Sequence, residues 1–383
     1  MEKNDIITNR MKAGNISLTA SVVILTVLLW NEYDWYEAVT PYGTLITLVF
    51  LAVTFFCYVP VKEALRDKYF WLVAAGSVIA GINLIVIGSG KGAWLTATDL
   101  LLVIYLSDRI RMSKTYVWFI TAYTGFYFFY WTFDVKGYFK GYNTNYGGLV
   151  LITGFVFAIT ALVLFYERLK ENVKNGAYFI FAFTVFCFFW GYNIIAWYRA
   201  RCALLGLVVF VILSLIPRKV WKNKVFYTLL TLFGTVGAIA VSLLYVWLGK
   251  FSDSISIRIF YKDVISGRDT IWTDLWSAFI KSPLTGIGSS YTINVDWMGG
   301  MFEVHNGLLD ILIVHGIIVF AITLFLFIQR LLTLREKTGE SNVAKIATAG
   351  TFAMLAASFM ENYFIVPPFL CCTLVLIAIA RSV

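Results

Sequence analysis

The chain has 383 residues, of which 60% are hydrophobic and only 14% charged, and its formal net charge is +9. Soluble domains contain about 25% charged and about 45–50% apolar residues, so this composition excludes an ordinary soluble globular protein. A mean hydropathy of +0.78 indicates instead an all-α polytopic membrane protein. The lipid bilayer is therefore an expected partner.

The basic residues stand in small groups between apolar segments. Nucleic acid is not an expected partner, because its recognition needs cations gathered on one hydrated face. The five cysteines lie within or at the edges of apolar segments, and only two histidines are present. No spacing among them is typical of a zinc site, so the sequence predicts neither a metal site nor a cofactor.

Twelve apolar segments approach the length of about 20 residues that crosses a bilayer as a helix. They lie near residues 16–30, 40–60, 69–88, 93–106, 115–133, 146–166, 177–197, 202–216, 225–248, 305–328, 343–360 and 364–380. The chain thus divides into residues 1–248 with transmembrane helices 1–9, residues 249–304 without a convincing span, and residues 305–383 with transmembrane helices 10–12.

The distribution of Lys and Arg predicts the orientation of these helices, because both residues are enriched in cytoplasmic segments. With the N-terminus inside, most of them fall in segments assigned to the cytoplasm. We therefore expect both termini in the cytoplasm, and the net positive charge reflects topology. The few basic residues left on the outer face are candidates for function.

Residues 249–304 form the longest predicted connection, and it lies on the outer face. Four apolar residues in it recur at the helical spacing i, i+3, i+4, i+7: Trp272, Leu275, Trp276 and Phe279. This pattern predicts an amphipathic helix of about three turns, which Pro283 ends. Because its apolar face carries tryptophan, we expect the helix to lie along the outer membrane interface.

Arg199, Arg201 and Arg268 lie on this predicted outer face, where basic residues are scarce. A guanidinium group matches phosphate oxygens in a bidentate manner, so several arginines here suit a diphosphate. The alternative is that they anchor the chain at the interface or pair with acidic residues of the long connection: Asp253, Asp263 and Glu303.

His305 is the best general-base candidate by residue type, because an ordinary histidine pKa of about 6.5 lets it accept a proton near neutral pH. The alternative is a histidine beside a helix cap, with Asn306 as the cap. His315 falls on another face of the same predicted helix, so we interpret it as a packing residue.

Five motifs on the outer face resemble those of the bacterial O-antigen ligase and polysaccharide polymerase superfamily. They are Asn143-x-Asn145-x-Gly147, Arg201-x-x-Leu204-Leu205, Gly267-Arg268-Asp269-x-x-Trp272, Pro283-Leu284-x-Gly286-x-Gly288, and His305-Asn306-Gly307 followed by Gly316. The resemblance is sharp over residues 200–320, and the rest of the chain resembles the family only as a series of spans. The family often has serine before the first arginine, where this chain has Ala200.

The resemblance implies a GT-C-like glycosyltransferase of the bacterial cytoplasmic membrane. It would carry out an inverting, metal-independent transfer of glycan from undecaprenyl diphosphate to an acceptor hydroxyl on the outer face. His305 and Arg268 would be catalytic, Arg201, Arg199 and Arg258 would bind the diphosphate together with Arg268, and Asn306, Asn145 and Trp272 would support them. A flippase and a chain-length regulator are further partners of such an enzyme.

A polymerase joins repeat units to each other, whereas a ligase transfers the glycan to a different acceptor. The abundance of Ile, Phe, Tyr, Asn and Lys, a bias associated with bacteria that lack an outer membrane, favours a polymerase. Two further alternatives stay open. Glu32, Asp34 and Glu37 could bind a divalent cation in a metal-dependent transferase, and Asp99 with Asn83 could serve a glycan transporter.

Overall fold

The computed structural model describes residues 3–29, 39–87, 90–133, 144–169, 176–251, 258–259, 262–263, 267–289, 294–295, 300–301 and 303–383. The α-helices in these ranges are α1 (Lys3–Leu29), α2 (Gly43–Tyr58), α3 (Val61–Ala64), α4 (Lys68–Ile87), α5 (Lys91–Leu106), α6 (Lys114–Phe133), α7 (Thr144–Leu169), α8 (Gly176–Tyr198), α9 (Arg201–Leu215), α10 (Arg218–Trp221), α11 (Lys224–Gly249), α12 (Arg268–Lys281), α13 (Gly307–Leu332), α14 (Arg335–Glu340), α15 (Asn342–Ala357) and α16 (Pro367–Ser382). A 3₁₀ turn, Thr40–Tyr42, precedes α2.

Each predicted span coincides with one of the long helices, which confirms the all-α membrane class. Five helical segments in the described ranges are long and apolar enough to cross a membrane: Lys68–Ile87, Asn145–Leu169, Tyr178–Ala196, Lys224–Gly249 and Gly307–Glu340. The helices α2, α9 and α16 are apolar but shorter. Twelve membrane crossings therefore stay a prediction, as does the division into three segments.

The described part of the long connection holds α12 and two short antiparallel pairs. Strand β1 (Arg258–Ile259) pairs with β2 (Lys262–Asp263), and β3 (Asn294–Val295) pairs with β4 (Gly300–Met301). The predicted amphipathic helix is confirmed as α12. The apolar face of α12 packs against α11 and α13, and the position of the helix along the membrane interface stays a prediction. Trp272, Leu275 and Phe279 are buried in the protein, which an apolar helix face achieves as readily against protein as against lipid.

Gly316 breaks α13, and the segment after α12 docks into the break. The amide of Ile287 donates to the Ile313 carbonyl at 2.8 Å, and the amide of Ile317 donates to the Pro283 carbonyl at 2.9 Å. Gly316 has φ of 81°, and a Cβ there would lie 2.1 Å from the Leu284 carbonyl oxygen. Only glycine accommodates this conformation and this approach, which explains why the Pro283–Gly288 segment and Gly316 occur together.

The last two long helices, α15 and α16, form the most deeply buried part of the described bundle. In contrast, α8 exposes large aromatic side chains, among them Tyr178, Phe179 and Phe189. Such an apolar surface is costly in water and suits the hydrocarbon of a bilayer.

An ion-pair cluster ties α13 to α16 at the end of α13 opposite Gly307. Asp108 accepts from Arg330 Nη1 at 2.9 Å and lies 3.0 Å from Arg381 Nη1. The Arg330 side chain is only 2% exposed and also stacks over the Tyr69 ring. Asp108 therefore supplies the counter-charge that a buried guanidinium requires.

Candidate functional site

The site is centred on Glu361, in the short connection between α15 and α16. One carboxylate oxygen, Oε1, lies 2.9 Å from Nδ1 of His305. The other, Oε2, lies 4.0 Å from Nη2 of Arg268. The Glu361 side chain is only 4% exposed, whereas that of His305 is 28% exposed. A buried carboxylate thus joins the two residues that the sequence predicted to be catalytic.

Arg268 is positioned by the first turn of α12. The turn begins at Gly267, whose φ of 80° favours glycine. Arg268 Nη2 donates to the Met360 carbonyl at 2.9 Å, immediately before Glu361. One turn later, Trp272 Nε1 donates to the Val304 carbonyl at 2.8 Å. The predicted supporting residue Trp272 therefore fastens α12 to the segment that carries His305.

His305 directly precedes the cap of α13, as its alternative interpretation predicts, and its role as a general base stays a prediction. Asn306 is the N-cap, because its Oδ1 accepts from the Leu309 amide at 3.1 Å. Its Nδ2 donates to the Ala238 carbonyl of α11 at 2.9 Å. His305 has φ of 54°, a left-handed conformation that costs a non-glycine residue about 1–2 kcal/mol. Such strain is often found at functional sites.

Asn362 connects the acidic residues of the site. Its Nδ2 donates to Glu303 Oε2 at 2.8 Å, and its backbone amide donates to Glu361 Oε1 at 3.3 Å. Its Oδ1 accepts from the Asn306 amide at 3.1 Å. One amide side chain therefore holds Glu303 and Asn306 in a fixed relation to Glu361.

The charges of the site influence one another through these short distances. Burial raises the pKa of Glu361, but His305 and its hydrogen bond outweigh this effect and the net shift is downward. Burial lowers the pKa of His305, but Glu361 shifts it upward on balance. Burial and then the Glu361 carboxylate raise the pKa of Glu303. Of the two carboxyl groups, Glu361 therefore has the lowered pKa and Glu303 the raised one.

Arg201 is the first residue of α9 and is half-buried. The Sγ of the next residue, Cys202, lies 3.7 Å from the carbonyl oxygen of Asn145. Glu361 and Arg268 are close enough to act electrostatically on the Cys202 thiol. The structure thus brings the start of α9, with Arg201, and the start of α7, with Asn145, towards the Glu361 cluster.

The remaining predicted diphosphate ligands lie in less buried positions. Arg199 is exposed and has φ of 55° just before α9. Arg258 is exposed in β1, where its strand partner is Asp263, and no described contact joins it to Glu361. Asn143, the first residue of its motif, lies outside the described residues. Arg268 and His305 are two predicted residues that the structure places in direct contact with Glu361.

The residues of the two further alternatives differ in their surroundings. Glu32, Asp34 and Glu37 lie outside the described residues. Asn83 Nδ2 donates to the His315 carbonyl, so it has a structural partner at the break in α13. His315 is buried, in agreement with its interpretation as a packing residue. Asp99 is buried in α5, and in the described part of the chain neither of its oxygens has a hydrogen-bond partner.

Reasoning from the sequence missed Glu361 and Asn362. Their signal is a short polar interruption, Glu361-Asn362, between two apolar segments, with both residues buried. A carboxylate placed in this way is costly unless it has a partner, so it could have been recognised as a functional candidate.

The fold and the site define an α-helical membrane protein with an arginine–glutamate–histidine cluster at one end of its bundle. Residues 179–324 match the family model described as O-antigen ligase. The match confirms, for that part of the chain, the resemblance to the O-antigen ligase and polysaccharide polymerase superfamily, and it indicates an O-antigen ligase-type function. Neither curated proteins nor solved structures gave a match to the chain.

Proposed function

We propose that the protein is a GT-C-like glycosyltransferase that joins undecaprenyl-diphosphate-linked oligosaccharide repeat units into polysaccharide. The reaction would take place on the outer face of the bacterial cytoplasmic membrane, with both termini of the chain in the cytoplasm. The observation that carries the proposal is the convergence of His305 and Arg268 on the buried Glu361. Both residues lie in the part of the chain that matches the O-antigen ligase family.

His305 acts as the general base in this proposal. An ionised carboxylate only accepts hydrogen bonds, so Nδ1 carries the hydrogen that is directed at Glu361 Oε1, 2.9 Å away. The lone pair then resides on Nε2, which accepts the proton of the acceptor hydroxyl. Glu361 is a positioning residue because it fixes the ring orientation and the tautomer and stabilises the protonated imidazole.

The transfer itself exchanges one glycosidic bond for another. The hydroxyl oxygen attacks the anomeric carbon of the donor sugar from the face opposite the diphosphate. The bond between that carbon and the diphosphate oxygen breaks, and the lipid diphosphate leaves with the electron pair. The configuration at the anomeric carbon inverts, and no step requires a metal ion.

Arg268 stabilises the negative charge that grows on the departing diphosphate. A guanidinium offers five N–H donors, of which one is directed at the Met360 carbonyl. Arg201 and Arg199 at the start of α9 would contribute further donors, and Arg258 would approach from β1. Asn145, Asn306 and Trp272 support these residues through the backbone contacts of their helices.

The alternative is an O-antigen ligase, which uses the same donor chemistry but a different acceptor. A polymerase would act together with a flippase and a chain-length regulator. Deletion of the gene distinguishes the two functions, because loss of a polymerase leaves single lipid-linked repeat units. Loss of a ligase would leave lipid-linked polymer.

The site assignment is tested with purified protein and lipid-linked repeat units, with products separated by size. We expect His305→Ala to abolish glycan joining and Arg268→Ala to reduce it strongly. Arg268→Lys should not restore full activity, because lysine lacks the planar fork. Arg335→Ala is the matched control, since Arg335 pairs with Glu336 in α14, remote in sequence from the site. Near-normal activity of either alanine variant would overturn the assignment, and so would movement of lipid-linked glycan across the membrane without sugar joining.

A further inference from the structure

Three side chains at the site offer nitrogen and oxygen atoms of the kind that bind transition-metal ions. One ligand atom each from Glu303, His305 and Glu361 lies within 4.8 Å of the other two. Ligand atoms at about 2.0–2.2 Å from a tetrahedral zinc ion are about 3.4 Å apart. Glu303 and His305 are only half-buried, so small rotations of these two side chains would close the remaining gap.

Two further features distinguish this cluster from a chance group of acidic residues. Glu361 Oε2 is buried and has no hydrogen-bond partner among the described residues. Asn362 donates hydrogen bonds to both Glu303 and Glu361. Residues that form hydrogen bonds to metal ligands in this way are a regular part of metal sites. Their mutation often lowers the affinity for the metal ion 10–100-fold.

We propose that Glu303, His305 and Glu361 bind a divalent transition-metal ion of the zinc or manganese type, and that this ion inhibits the transfer reaction. One imidazole nitrogen with two carboxylates suits these ions better than magnesium, which prefers all-oxygen octahedral sites. The open side of the cluster, where His305 is 28% exposed, gives the ion a path from solvent.

Inhibition follows because the metal ion and the proposed reaction need the same groups. A bound cation takes the Glu361 carboxylate away from His305 and repels the Arg268 guanidinium, whose Nη2 lies 4.0 Å from Glu361 Oε2. Arg268 and the metal ion therefore compete for one carboxylate. Only this inhibitory part rests on the proposed function, and metal binding itself does not.

Metal binding is measured by isothermal titration of the full-length protein in detergent with ZnCl₂, MnCl₂ and MgCl₂. We expect one zinc site in the wild type and binding at least about tenfold weaker in Glu303→Gln. Arg268→Gln should bind zinc more tightly, because the competing cation is removed. The matched control is Asp274→Asn, which removes a carboxylate of α12 outside the cluster and should leave zinc binding unchanged.

The functional arm compares glycan joining with and without zinc at the concentration that fills the site. Zinc should inhibit the wild type, whereas Glu303→Gln, compared with its own rate without zinc, should resist inhibition. Absence of zinc binding, equal affinity in Glu303→Gln, or stronger binding of magnesium than zinc would overturn the proposal. If the wild type joins no glycan, the proposed function fails while the titration still decides whether the metal site exists.

Discussion

Replacement of Asn306 by alanine tests how the site is held together. The Asn306 side chain caps α13 through Leu309 and joins it to α11 through Ala238. Loss of a good N-cap costs about 1 kcal/mol, and loss of one buried hydrogen bond costs about 1 kcal/mol more. We therefore expect Asn306→Ala to lower the free energy of unfolding by about 2 kcal/mol.

Serine at the same position separates the two contributions. Its hydroxyl still accepts from the amide in the first turn of α13, but it cannot reach across to the Ala238 carbonyl as the amide does. Asn306→Ser should therefore lower the free energy of unfolding by only about 1 kcal/mol. Asn223→Ala is the matched control, because Asn223 caps α11 through Phe226 on an exposed surface and has no described contact with Glu361. Asn223→Ala should also lower the free energy of unfolding by about 1 kcal/mol, but it should preserve glycan joining.

Unfolding is followed by tryptophan fluorescence in mixed micelles with increasing SDS, since the chain contains 13 tryptophans. Glycan joining is measured on the same samples. Asn306→Ala should lower the joining rate as well, because His305 precedes the cap directly. The reasoning is refuted if Asn306→Ala is as stable as the wild type, or if Asn306→Ser is as unstable as Asn306→Ala.

Three further substitutions test other parts of the structure. Glu361→Gln should reduce glycan joining about 10²–10⁴-fold while the protein still folds, because His305 loses its charged partner; a rate near that of the wild type would contradict this role. Gly316→Ala should lower the free energy of unfolding by at least about 2 kcal/mol, because the added Cβ would lie 2.1 Å from a backbone oxygen. An unchanged unfolding midpoint in detergent would argue against the docked loop. Asp108→Ala should destabilise the protein by about 2–3 kcal/mol because it leaves Arg330 buried without its closest carboxylate. The double variant Asp108→Ala/Arg330→Met should recover part of that loss in the same SDS titration, and failure to recover any of it would contradict the ion-pair explanation.

Hydropathy predicts the helices well, because an apolar segment of this length has few alternatives to a helix in a membrane. The period of α12 is equally clear from Trp272 to Phe279. Its packing partner is not predictable in the same way, since an amphipathic face is buried equally well by lipid and by other helices. Whether lipid or protein covers this face of α12 depends on where α11 and α13 lie.

Part of the site is also predictable from the sequence, and part depends on how the helices pack. Arg268 and His305 stand out because basic residues are scarce on the predicted outer face and because both lie in motifs. Glu361 lies 56 residues after His305, in a connection with no motif, and their contact depends on how α13, α15 and α16 pack. A sequence contains no direct record of such a distance.

The position of Glu361 also bears on how a protein of this kind can change during evolution. The match to the O-antigen ligase family ends at residue 324, before the connection that supplies Glu361 and Asn362. A chimera that received only the matched segment would inherit Arg268 and His305 without their shared carboxylate. Unless the recipient chain supplies an acidic residue there, the transplanted histidine would lack its partner. In relatives, we expect substitutions at the positions of His305 and Glu361 to occur together, so that these two distant positions covary.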